Sequence, residues 1–132
     1  MHDSRTTTLN FLTFAYKPKH AKMTIIHIVQ LGFHALATDE MIQGVCNGLL
    51  ALKQDCIHPT TRQPYIKSAV GGRENSPEGL QGGVTHVFVV EFEKEEDRKY
   101  YLEKDPAHLG FVKGLSGIVE MVRVVDFTPG VF

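Results

Sequence analysis

Residues 24–33 constrain this chain more than any other stretch. Ile25, His27, Val29, Leu31 and Phe33 fall on one face of an extended strand, and Ile26, Ile28 and Gln30 on the other. Both faces are largely apolar, so both must be covered. That requires helices on one side of a sheet and a different layer on the other. Residues 84–92 repeat the pattern, with His86, Phe88, Val90 and Phe92 on one face and Val87, Val89 and Glu91 on the other.

The remaining elements follow from local signals. Thr38 or Asp39 can cap a helix, and Asp39 and Glu40 suit the positive end of its dipole. Met41, Ile42, Val45, Leu49 and Leu52 then recur at helical spacing. Gly44 and Gly48 lie within this helix, and each costs about 1 kcal/mol relative to alanine. Close backbone approach to a neighbour is one reason to keep them. A short strand is predicted over 65–70 and a glycine-rich loop over 71–83. Residues 93–103 are charged and helix-forming. Pro106 suits the first position of a further short helix carrying Ala107, His108, Phe111 and Val112. A last strand is predicted over 118–127. The order β-α-β-β-α-β, with the second helix broken, predicts an α+β ferredoxin-like fold. Its sheet is antiparallel and four-stranded, with helices on one face.

The 132 residues amount to one domain. Fourteen Lys and Arg stand against fifteen Asp and Glu, which leaves none of the basic footprint of a nucleic-acid partner. No apolar run is long enough to span a membrane. Cys46 and Cys56 match neither a zinc spacing nor a disulfide framework, and read as reduced thiols of a cytoplasmic protein. Residues 1–22 hold Arg5, Lys17, Lys19 and Lys22 against Asp3 alone, with threonines at 6–8. They read as a flexible leader before Met23, with mitochondrial targeting as the lesser alternative. The domain proper is 23–132.

If the helices cover one sheet face, the other is expected to carry Val29, Leu31, Phe33, Phe88, Val90 and Phe92. That face is too apolar to leave in water. A homodimer burying it through one symmetric interface is the predicted solution.

Seven histidines are present. His2 and His20 lie in the leader, His34 follows a strand and His58 sits in a loop. His27 and His86 are mid-strand among apolar neighbours, and His108 and Tyr101 fall near the sheet's edge. Imidazoles so placed titrate near neutrality and can take either proton role. A metal site on His27 and His86 is not expected. No carboxylate lies at matching spacing on the inward faces of their strands, and two neutral nitrogens bind metal weakly.

Several segments together resemble the stress-responsive dimeric A/B barrel family. They are Ile26-His27-Ile-Val-Gln-Leu-Gly-Phe33, the Gly72-Arg-Glu-Asn-Ser-Pro-Glu-Gly-Leu-Gln-Gly-Gly-Val-Thr-His86 stretch, Tyr101 with Asp105-Pro-Ala-His108-Leu-Gly-Phe111, and Val124-Val-Asp-Phe127. The resemblance spans 23–132 and implies a homodimer whose two sheets close into a barrel. Many members are stress-induced or defence proteins without an established reaction. One plant member closes a polyketide ring by aldol condensation without metal or cofactor. By that resemblance His108 matches its catalytic base and Tyr101 the assisting tyrosine, while His27 and His86 match its strand histidines. Leu49 falls where it carries a pocket tyrosine.

The expected chemistry is therefore cofactor-free. His108 removes a proton beside a ketone, Tyr101 assists, and an apolar cavity lined by Ile25, Val29, Leu31, Leu49, Phe88, Val90, Val122 and Val124 folds the substrate. Two alternatives stand beside this cyclase or lyase reading. One is a non-enzymatic stress or defence protein that binds an apolar small molecule. The other is a cofactor-independent oxygenase.

Overall fold

The computed structural model describes residues 23–132. The leader and its targeting alternative lie outside the described residues. The chain forms β1 (Ile25–Phe33), α1 (Asp39–Asp55), β2 (Ile66–Arg73), β3 (His86–Phe92), α2 (Glu95–Glu103), α3 (Pro106–Lys113) and β4 (Val119–Phe127). The sheet is antiparallel throughout, in the order β2-β3-β1-β4. This is the predicted ferredoxin-like α+β arrangement. Among the described residues no helix is long and apolar enough to cross a membrane.

Helices α1 and α3 start as their sequence dictates. Thr38 Oγ1 accepts from the Met41 amide and caps α1. Val45, Leu49 and Leu52 bury the apolar stripe of α1 against the sheet, and burying each contributes roughly 1.5–3 kcal/mol. Gly48 lets α1 approach α3, with the Phe111 ring 3.3 Å from where a Cβ would stand. The break between α2 and α3 has a clear cause. The amides of Lys104 and Asp105 both donate to the Tyr100 carbonyl. The Asp105 side chain then accepts from the Ala107 amide, and Pro106 opens α3.

Two expectations are corrected. The first is the covered face. Leu31, Phe88, Val90 and Phe92 are buried with Val45, Leu49, Leu52 and Tyr101, and Val29 and Phe33 pack against that cluster. The odd-numbered face of β1 is therefore the helix-covered one. The helix-free face carries Ile26, Ile28 and Gln30, which pair with Glu91, Val89 and Val87 on one side and with Phe127, Val125 and Arg123 on the other. Because both faces of β1 are apolar, alternation alone could not say which one the helices cover. The second correction is β2, which continues through Gly71, Gly72 and Arg73 rather than ending at Val70. Gly71 pairs with Phe88, and a Cβ there would stand 2.2 Å from the Phe88 ring. The glycine makes room for that ring inside the ladder.

Candidate active site

The covered sheet face is filled under α1 and open toward α2 and α3. The opening is a cavity of about 460 Å³. Of the residues expected to line it, Val29, Leu31, Leu49, Val122 and Val124 do so, joined by Leu102, Phe111, Val112 and Leu115. Ile25 and Val90 are instead packed in the core, and Phe88 fills the space beside β2.

His27, Tyr101 and His108 come together at one end of this cavity. The Tyr101 and His108 rings stack with centroids 3.8 Å apart, and His27 meets Tyr101 edge-on at 5.8 Å. His108 Nδ1 lies 2.8 Å from the backbone oxygen of Tyr101. A carbonyl only accepts, so Nδ1 carries the proton and Nε2 keeps its lone pair. Tyr101 thus holds His108 through its main chain and its ring face. Desolvation pushes His108 below the ordinary imidazole range, helped by His27, while the bond to Tyr101 and the Asp105 charge pull the other way. The ring is neutral at pH 7 and ready to accept a proton. Burial, with the nearby Cys56 and Asp105, pushes the Tyr101 phenol up, so it stays a neutral O–H donor.

His27 is oriented by a residue that sequence reasoning missed. Its Nδ1 donates to Asp126 Oδ1 at 2.8 Å, and Asp126 Oδ2 accepts from Arg98 Nη1 at 3.1 Å. The carboxylate is held by the α2 guanidinium and, by fixing Nδ1, turns Nε2 of His27 away from itself. The signal was present. Val122, Val124 and Asp126 alternate on β4, and Asp126 is the register partner of His27. Attention to the two histidine-bearing strands alone passed over it.

His86 is not brought to this group. It lines a separate cavity between α1 and the β2–β3 pair, with its ring edge-on to Phe33 at 5.2 Å. His58 has a local role, since its Nδ1 accepts from the amides of Thr60 and Thr61. Among the described residues no cluster of three or more His, Cys, Asp or Glu is placed to hold a metal ion.

The conformation of α3 is fixed from beneath. Asp105 is buried and accepts from the Tyr65 hydroxyl as well as the Ala107 amide. The Cys56 thiol, fully buried beside it, is pushed up to about 12 by desolvation and by the Asp105 charge and hydrogen bond. These contacts set where the Pro-Ala-His turn places its imidazole.

Fold and site together define a small ferredoxin-like α+β domain with two oriented imidazoles in an apolar cavity. The chain belongs to the stress-responsive A/B barrel domain family, whose model matches residues 25–129. It is 29% identical over 111 residues to the stress-response A/B barrel domain-containing protein HS1 of Arabidopsis thaliana, covering 84% of this chain and 94% of that protein. A crystal structure of the Arabidopsis thaliana protein At3g17210 is 28% identical, with a TM-score of 0.70 over 82% of this chain and 97% of that one. The hydroxynitrile lyase of Passiflora edulis shares the fold at 19% identity, with a TM-score of 0.69 over 84% of this chain and 98% of the lyase.

Proposed function

We propose that this protein is a cofactor-free acid–base catalyst that closes a ring in a polyketide-like β-dicarbonyl chain by an aldol-type step. The observation that carries the reading is the imidazole pair. His108 and His27 each have Nδ1 tied to an oxygen acceptor, which turns both Nε2 atoms toward an apolar cavity. His108 Nε2 removes a proton from the carbon between two carbonyls. The resulting enolate attacks a second carbonyl of the same chain, a carbon–carbon bond forms, and the new alkoxide takes up a proton. Tyr101 donates a hydrogen bond to the developing enolate. General acid–base help of this kind supplies about 10²–10⁴-fold, and confinement against Leu49, Val122 and Val124 adds orientation.

The working unit is a homodimer. The helix-free face of a single chain leaves Val125 and Phe127 about half exposed and Val70 at 62%. At its centre the Gln30 side-chain oxygen is buried without a hydrogen-bond partner. A second copy laid against this face covers the apolar side chains and offers Gln30 a partner.

The test is turnover of linear β-polyketones by the purified protein, followed by product analysis and oxygen consumption. Cyclised product without oxygen uptake supports the reading. Oxygen uptake would move it to an oxygenase. Tight binding of the polyketone with no product would leave the non-enzymatic, ligand-binding reading standing.

A further inference from the structure

The cavity that holds His86 is separate from the one that holds His108, since the two share no lining residue. It has a volume of about 450 Å³ and lies between α1 and the edge of the sheet at β2. Its polar groups are complementary in kind. Arg73, at the end of β2, has no carboxylate within ion-pair distance among the described residues; the ionisable groups it acts on are the Cys46 thiol and the His86 imidazole. His86 Nδ1 lies 2.9 Å from Thr85 Oγ1, whose hydroxyl reaches the Leu31 carbonyl at 3.3 Å. With the Thr85 proton on that carbonyl, Nδ1 is the donor and His86 Nε2 is a bare acceptor. Only 8% of His86 is exposed, and its opening is into this cavity. On α1, Gln43 Nε2 donates to Asn47 Oδ1 at 2.9 Å. That leaves the Asn47 amino group free to donate and the Gln43 oxygen free to accept. Ile42, Leu50 and Phe88 supply the apolar wall.

We infer that this cavity is a second ligand site, for a small monocarboxylic acid that also carries a hydroxyl. The Arg73 guanidinium and the Asn47 amide take the carboxylate. His86 Nε2 and the Gln43 oxygen accept from the hydroxyl, and a short apolar body lies along Ile42, Leu50 and Phe88. Asp39 on the same wall repels a second carboxylate, which sets the limit of one acid group. Desolvation and the Arg73 charge keep His86 below the ordinary imidazole range, so it is an acceptor at neutral pH.

The experiment uses the full chain, ¹⁵N-labelled, titrated with 4-hydroxybenzoate, and with benzoate and phenol as single-group controls. The expected result is saturable shifts at Arg73, Asn47 and His86, with both controls at least tenfold weaker. Arg73→Gln, an exposed position, weakens 4-hydroxybenzoate at least tenfold, whereas His108→Ala does not change it. Absence of saturable binding, unchanged binding by Arg73→Gln, or shifts confined to Leu49, Tyr101 and His108 would each overturn the assignment. None of these outcomes bears on ring closure in the other cavity, so the two readings fail separately.

Discussion

His108 is held by Tyr101 through the backbone, with Nδ1 2.8 Å from the Tyr101 carbonyl oxygen and the two rings stacked at 3.8 Å. A hydroxyl-to-imidazole bond would consume the phenol proton or the imidazole lone pair. This arrangement consumes neither. It also makes the His108 tautomer a property of the helix break, because Tyr101 lies in the last turn of α2 and His108 in the first turn of α3.

The His27–Asp126 pair gives the first prediction. In Asp126→Asn the side-chain amide can donate to His27 Nδ1, which leaves the ring proton on Nε2 and removes the carboxylate that orients the ring. Ring closure is expected to slow about tenfold or more, with KM little changed. Steady-state kinetics on the variant check this, and the ¹⁵N shifts of the His27 ring report the tautomer.

Proton linkage gives the second. His108 and His86 both lie below their ordinary range because they are desolvated. The unfolded chain therefore binds protons more readily than the folded one. Their stabilising contribution is complete above the ordinary imidazole value of about 6.5. It is lost as pH falls through the lower folded values. Thermal unfolding should show a lower Tm at pH 5 than at pH 7.5. For the same reason the acid limb of ring closure should fall below about 6.5.

Gly71 gives the third. A methyl group at this position meets the Phe88 ring at 2.2 Å and the Val87 carbonyl at 2.8 Å, and Phe88 is fully buried. Gly71→Ala should destabilise the fold by about 1–3 kcal/mol, the usual cost of overpacking. Gly72→Ala, with nothing within 4 Å of its added carbon, should cost less. Denaturant unfolding of the two variants compares them directly.

The two thiols give the fourth. Cys56 is inaccessible, and its thiol is pushed up to about 12, whereas Cys46 is half-buried and its thiol is raised by a more modest desolvation. A thiol reagent at pH 8 should modify Cys46 first and reach Cys56 only on unfolding. Mass mapping of the labelled peptides reads the order.

Much of the architecture was legible from local signals. The Thr38 cap, the α1 stripe ending at Leu52 and the Pro106 restart each reflect a short-range cause, and both helices stand where the sequence puts them. Two features depended on partners far along the chain. The covered face of β1 is decided by which side receives α1, and residues apolar on both faces carry no vote. Gly71 and Gly72 have loop composition, yet β3 supplies a ladder for both, and at Gly71 a ring that only a glycine can admit. The site divides the same way. His27, Tyr101 and His108 could be named as candidates one by one. Asp126 required the β1–β4 register, and His86 required knowing how α1 lies against the β2–β3 pair.

The central claim is that His108 is the base. The direct measurement is ring closure of a linear β-polyketone by wild-type protein and by His108→Ala, with folding of the variant verified by circular dichroism. The account predicts a loss of about 10²–10⁴-fold in turnover, with substrate binding retained. Undiminished turnover by the folded variant would contradict it, as would a wild-type rate no faster than buffer.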